Sequence, residues 1–295
     1  MNQFTIGRNL SANRPFSHEL EKLVTPRSVL DRLRNWAREN LLIANDEIWS
    51  AARFGIATSI WMPMFDFVRV AVHRNSGSLR SLHRSLKILR RKLAKDTRYH
   101  DHGHGYFYQS FERLLISGRR KTLARAQDLG LDKLCRDKKV LDLGSNVCFL
   151  ALQLTEVASS VDCVDSNPYA IDIGRTVAAH SKSTNIAFHK SDYMVFLRAC
   201  ERSRYDVVLL LSAHISFDHT DPSHICDLLS ECRRVLGTNG TLVFESHPRF
   251  FEDRYMGLER TFALLSQYFD ITNFGQLVYG SMLDRGRLVA FCKPR

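Results

Sequence analysis

Apolar positions along this chain follow two rhythms, and the change falls near residue 139. Beyond it, short apolar runs alternate with helical patterns. Residues 139–143, 161–164, 185–190, 205–211, 240–245, 269–276 and 287–292 read as strands. Alternating strands and helices predict a largely parallel sheet covered on both faces, with any ligand at the C-terminal strand ends. Before residue 139 the pattern is helical. Thr25-Pro26 reads as a helix start, followed by Leu30, Leu33, Ala37 and Leu41. A second helix begins at Asn45 or Asp46 and runs through Trp49, Ala52 and Ile56 toward Pro63, and Asn75-Ser76-Gly77 breaks the pattern. The clearest amphipathic helix spans 79–95. Leu79, Leu82, Leu86, Leu89 and Leu93 form one face, and Arg80, Arg84, Lys87 and Arg91 the other. Packing on its own protein is the leading use of that helix; pairing in a dimer or docking on an anionic surface are the others. Residues 1–24 show no periodicity and read as a loosely docked arm.

The most informative stretch is Val140-Leu141-Asp142-Leu143-Gly144-Ser145-Asn146-Val147-Cys148-Phe149. An apolar strand ends in Gly144, a turn residue, and a helical pattern of Phe149, Leu150, Leu152 and Leu154 follows. Strand, tight turn and helix form the first unit of a doubly wound sheet, where free N–H groups of the helix face a ligand. Asp165 ends the next strand about 20 residues on, the spacing at which a carboxylate meets a ribose hydroxyl pair. A pyrophosphate cradle wants G-x-G-x-x-G, and here only the first glycine is present. Bulkier residues at the other positions crowd a pyrophosphate.

Asp142-Leu143-Gly144-Ser145-Asn146 resembles motif I of the class I S-adenosylmethionine-dependent methyltransferases. Tyr106-Phe107-Tyr108-Gln109-Ser110-Phe111 and 116–122 resemble a preceding segment found in bacterial methyltransferases that decorate glycans and natural products, where Y-Q-S-F and G-Q-R-x-T recur. Arg120 takes the arginine place and Arg119 replaces the glutamine. The resemblance covers residues 106–295. It implies a Rossmann-like, doubly wound, seven-stranded and mostly parallel sheet whose last two strands form an antiparallel, hairpin-like edge. It divides the chain into a basic helical extension (1–98), a link contributing to the cofactor pocket (99–130) and a methyltransferase domain (131–295). S-adenosylmethionine is the implied cofactor. Its candidate contacts are Gln109 and Arg120 before the first strand, with Arg120 placed to pair with the methionine carboxylate. Asp142, Gly144, Ser145, Asn146, Cys148 and Phe149 follow at the first strand, then Asp165, Ser166 and Asn167 after the second. Asp192 and Tyr193 follow the third strand, and Leu211 and Ser212 end the fourth. The family sets an acidic residue at the place of Asp192 against the adenine amino group; the same residue also reads as a helix N-cap. Cys148 stands where the family has a glycine, so we expect its side chain to narrow the turn and weaken donor binding, or to mark a non-catalytic binding protein of the same fold.

Methyl transfer to a poorly acidic hydroxyl needs alignment and a base. His214, beyond the fourth strand, matches the place of family histidines, and an imidazole titrates in the right range. Beyond the fifth strand, Glu245-Ser246-His247 matches an E-S-H sequence. We therefore expect His214 as base, with Glu245 and His247 positioning it or the acceptor. His100, His102 and His104 alternate, and His219 and His224 share a loop with Asp218 and Asp221; polar surface loops are the simpler reading of both groups than metal ligation, and no metal is expected.

Composition narrows the partners. The chain has 295 residues, 44% hydrophobic and 25% charged, as in a globular protein. Seven cysteines without a C-x-x-C pair argue against a zinc ribbon or a disulfide framework and favour a reducing cytoplasm. Of the net charge of +11, all comes from the N-terminal side, since 26 of the 42 Lys+Arg but only 13 of the 31 Asp+Glu precede Lys139. A basic half suits nucleic acid, an anionic membrane at its inner face, or an acidic glycan. The expected acceptor is a sugar, a glycan or another small metabolite, with RNA as the alternative.

Overall fold

The amphipathic pattern of residues 79–95 becomes a 20-residue helix, and its leucine stripe is already occupied within the chain. The computed structural model describes residues 2–3, 62–73, 76–96, 106–118, 120–212, 223–246, 257–276 and 288–295. A two-residue strand, β1 (Asn2–Gln3), comes first, then helices α1 (Met62–Val72) and α2 (Ser76–Lys95). Helix α1 starts where a helix was expected to end. Pro63 lies in its first turn, where a missing N–H costs nothing. The helix expected over 25–41, and residues 4–61 as a whole, lie outside the described residues. Ser76 and Gly77, expected as a break, open α2 instead.

Leu79, Leu82, Leu86 and Leu93 are buried in one cluster with Val70, Phe107, Phe111 and Phe149. That cluster also holds Ala170, Ile173 and Val177 of a later helix of the α/β domain. Each buried leucine contributes about 1.5–3 kcal/mol. The stripe is therefore not available for a dimer, and the helical pair is built into the same body as the domain that follows.

Helices α3 (Thr122–Asp128) and α4 (Leu131–Leu134) lead into the sheet. Strands β2 (Lys139–Leu143), β3 (Ser160–Asp165), β4 (Ile186–Lys190), β5 (Tyr205–Leu211) and β6 (Leu236–Glu245) run parallel. They alternate with α5 (Phe149–Leu154), α6 (Pro168–Ser181), α7 (Tyr193–Ala199) and α8 (Ser223–Val235). Helix α9 (Gly257–Tyr268) leads into β7 (Phe269–Gln276), and β8 (Leu288–Pro294) ends the sheet. The strand order is β1-β7-β8-β6-β5-β2-β3-β4. The expected seven-stranded α/β sheet is present. Strand β8 inserts antiparallel between β6 and β7. The outer edge is taken by β1, parallel to β7, so Asn2 and Gln3 are paired, while the rest of the expected arm lies outside the described residues. Pairing through backbone groups needs no hydrophobic period, which is why the sequence did not announce it.

Successive strand residues face opposite ways. Leu141, Leu143, Val208, Leu210, Leu242 and Phe244 pack with α7, α8 and α9. Val140, Val161, Val207, Leu209 and Val243 pack with α3, α4 and α5. Helix α2 lies outside α6 as a further layer. Among the described residues no helix is long and apolar enough to cross a membrane.

Candidate active site

Strand order reverses at β2, which has β3 on one side and β5 on the other. Loops leaving the two strands diverge there and open a crevice at their C-terminal ends. The turn after β2 lines it. The N–H groups of Gly144 and Ser145 both donate to the Val164 carbonyl, at 2.9 and 3.0 Å, tying the turn to β3. Asn146 and Cys148 then take φ of 52° and 61°. Asparagine tolerates that region because its short side chain bonds locally. Its Oδ1 accepts the Val147 N–H at 2.8 Å. The Cys148 thiol donates a long local bond to the Asn146 carbonyl at 3.5 Å, and its side chain supplies no cap to α5.

Gln109 supplies the cap from 40 residues upstream. Its Oε1 accepts the N–H groups of Phe149 at 3.2 Å and Leu150 at 3.4 Å. Gln109 is itself held by a backbone bridge to Arg120. Only glycine fits at position 118, where a Cβ would lie 2.2 Å from the Gln109 carbonyl carbon.

Asp165 ties the two turns together. Its Oδ2 accepts the Asn146 N–H and its Oδ1 the Asn167 N–H, both at 2.8 Å. Asn167 in turn caps α6 through the N–H groups of Tyr169 and Ala170. Burial pushes the Asp165 carboxyl up to about 6 against these two N–H bonds. Asp142, on β2, is buried. Desolvation pushes it up to about 7, with the Arg125 charge pulling down and Asp165 pushing up. Two carboxyl groups thus sit near the crevice with their protons held into the neutral range.

On the far side, Glu245 ends β6 and is wholly buried. Its Oε2 lies 2.5 Å from Arg125 Nη2, and its Oε1 lies 3.5 Å from Arg120 Nη2. The Ser212 hydroxyl donates to Oε1 at 3.0 Å. Arg120 also donates to the Tyr108 hydroxyl at 2.8 Å. Burial acts against the Arg125 charge, but Glu245 more than restores it, so this guanidinium stays a cation. The cluster joins the segment before α3 to the ends of β5 and β6.

A family model described as "Methyltransferase domain" matches residues 140–240, the span from β2 into β6. The α/β domain is a class I S-adenosylmethionine-dependent methyltransferase domain. S-adenosylmethionine is its methyl donor. Solved structures share its fold. One is the N-methyltransferase NodS from Bradyrhizobium japonicum WM9 in complex with S-adenosyl-L-homocysteine, at 18% identity and a TM-score of 0.50, covering 71% of this chain and 98% of that one. Another is WbdD, at 16% identity and a TM-score of 0.53, covering 69% of this chain and 46% of that one. No curated protein sequence matches the chain.

Within the methyltransferase domain, Asp142, Gly144, Ser145, Asn146, Asp165 and Asn167 come together at the ends of β2 and β3. Ser166 is exposed beside them. Asp192 caps α7, accepting from Met194 and Val195 at 2.8 and 3.1 Å, and Tyr193 is partly buried behind it. Leu211 lies at the end of β5, in register with Glu245. Three expectations need correction. The Cys148 side chain does not narrow the crevice; it is fully buried in the helix-facing core. Gly174 of α6 makes the room for it, since a Cβ there would meet the Cys148 Cβ at 2.9 Å. The Phe149 ring lies in the aromatic cluster with Phe107 and Phe111, at centroid distances of 5.6 and 5.7 Å, so it stabilises the turn from behind. Glu245 is sealed among arginines rather than open to an acceptor. His214, His247, His100, His102, His104 and His219 lie outside the described residues.

Arg125 was missed by sequence reasoning. The signal was there: it stands three residues after buried Thr122 and one before buried Ala126, on a short helix. A cation near the inner face of a helix implies a buried anion opposite. Nothing in the sequence says that the anion is Glu245, 120 residues later.

Proposed function

We propose that this protein transfers a methyl group from S-adenosylmethionine to an oxygen of a sugar, glycan or other small metabolite, with His214 as general base. The observation that carries this reading is the pairing of β5 with β6. They are parallel neighbours with Leu211 opposite Glu245. Strands β5 and β6 therefore end side by side, next to the donor crevice, and His214 and His247 follow these ends in the sequence. Glu245 is committed to Arg120, Arg125 and Ser212, which supports assigning the base to a histidine that follows these strand ends in the sequence.

The residues present fit the donor. The carboxyl groups of buried Asp142 and half-buried Asp165 suit a cation and a ribose diol, and the buried arginines suit a carboxylate. In this reading Asp165 holds the ribose and keeps the motif turn closed through Asn146. Asp142 balances positive charge beneath the turn, and Asp192 lies toward the adenine. Arg120 and Arg125 face the amino acid end, held at a set distance by Glu245. When bound, S-adenosylmethionine supplies an electrophilic methyl group on a sulfonium sulfur. The chain's part is to hold the acceptor oxygen in line with that methyl and to take its proton at His214.

The test is isotopic. Cell extract is incubated with the protein and labelled donor, and the products are read by mass spectrometry. A labelled sugar, glycan or small metabolite is the expected result; label in RNA overturns the acceptor assignment. The variant His214→Ala should bind the donor as wild type does, while turnover falls by about 10²–10⁴-fold. Wild-type rates should rise with pH through the imidazole range near 6.5, and the variant should lose that limb. Full activity in His214→Ala removes it as base.

A further inference from the structure

Helices α1 and α2 present a face that methyl transfer does not use. Helix α1 is inverted relative to an ordinary surface helix. Its acidic residue points in: Asp66 is 2% exposed and accepts bonds from the Tyr106 hydroxyl and from the N–H and hydroxyl of Ser117. Its large apolar residues point out: Phe67 is 70% exposed, and Met64, Phe65 and Val68 are exposed as well. Helix α2 buries Leu79, Leu82, Leu86 and Leu93. On the opposite side Arg84, Ile88, Arg91 and Lys95 follow one another four, three and four residues apart, which is one line along a helix. Lys87 and Lys92 flank them, all of these basic residues are exposed, and residues 76–95 contain no Asp or Glu. Ile88, in the middle of that line, is 53% exposed. The two helices pack on each other and send their inward residues into one cluster. Their outward faces therefore both look away from the methyltransferase domain.

We propose that the α1–α2 face docks on a lipid bilayer containing anionic headgroups. The lysines and arginines meet the headgroups, and Phe67, Val68, Met64 and Ile88 enter the boundary between headgroups and acyl chains. The apolar residues choose the bilayer over a nucleic acid. An RNA phosphate backbone would use the same cations, but it offers nothing to Ile88, Val68 or Met64. The face then holds the methyltransferase domain at a membrane surface, without a spanning helix.

The experiment is co-sedimentation of the full chain with phosphatidylcholine vesicles, with and without phosphatidylglycerol, at low and moderate salt. Binding should require phosphatidylglycerol and weaken with salt. Arg84→Glu with Arg91→Glu should abolish it. Phe67→Ser with Ile88→Ser should weaken it about tenfold or more at constant charge. All four positions are exposed, so melting temperature and donor affinity should stay at wild-type values in both variants. Three results overturn the proposal: no sedimentation with phosphatidylglycerol vesicles at low salt; undiminished binding by the Phe67→Ser, Ile88→Ser variant; or binding of polyuridylate, lost on Arg84→Glu with Arg91→Glu, by a protein that ignores vesicles.

Discussion

Asp142 shows how burial turns a motif residue into a pH-sensitive one. Its carboxyl is pushed from the ordinary 3.8 to about 7, and Asp165 from 3.8 to about 6. The folded state holds these protons more tightly than the unfolded chain does. Their contribution to stability is present in full below pH 3.8 and is lost as pH rises through 6 and then 7. Urea unfolding should therefore show stability falling between about pH 4 and 7 and levelling above. In Asp142→Asn the decline should end near pH 6, and the variant should be the more stable protein at pH 8. Donor affinity should run the other way. A cationic ligand favours ionised carboxyls, so wild-type affinity should rise from about pH 5 to 8 in calorimetric titrations. Asp142→Asn should keep only the lower part of that rise. Glu245 is a different case, since its charge is already paired. Glu245→Gln leaves two buried arginines short of an anion and should destabilise the protein by about 3–5 kcal/mol. Its residual activity should keep the wild-type pH limb if the base is elsewhere.

At the level of elements, the motif turn and α6 are fitted to each other. Cys148 occupies a left-handed position that favours glycine, and Gly174 occupies a helix position that favours alanine. A Cβ at position 174 would meet the Cys148 Cβ and the Phe188 ring, each at 2.9 Å. Gly174→Ala should cost about 1–3 kcal/mol through overpacking. Adding Cys148→Gly should recover the share of that loss due to Cys148 and leave the share due to Phe188, a coupling readable in a double-mutant cycle by urea unfolding. Cys148→Gly alone should leave donor affinity unchanged, because the thiol points into the core. A large gain in affinity or turnover would show that the side chain intrudes on the donor after all. Gln109 makes the same point across a longer distance. It was expected at the cofactor, yet its oxygen is spent on two helix N–H groups. Gln109→Leu should remove that cap and lower stability by about 1 kcal/mol, with any loss of donor affinity arising through a loosened turn.

For the whole molecule, the clusters behind the sheet and beneath α2 share the helices α5 and α6. A basic extension that folded apart would melt apart. Here Leu82, wholly buried between α2 and the domain, links them. Leu82→Ala should lower the stability of the entire protein by about 2–5 kcal/mol, and calorimetry should show one transition shifted down. Two transitions, with only the first one moved, would mean that the helical pair is an independent unit.

The strands, their parallel order and the donor motif were legible in the sequence because each depends on local information. An apolar run of five to seven residues between helical patterns reads as a buried strand, and a turn glycine followed by Asn146 marks the binding loop. Asp192 as a helix cap was equally local. What the tertiary structure decided involves partners far apart in the chain. Cys148 reads as an intruder until Gly174 is seen opposite it. Glu245 reads as a catalytic carboxylate until Arg120 and Arg125 are found against it, from a segment 120 residues earlier. The leucine stripe of α2 reads first as packing on its own protein, but does not say against what until α6 is found there. Sequence periodicity says which face of an element is buried; only the assembled fold says what it is buried against, and for a charged group that partner sets both its pKa and its use.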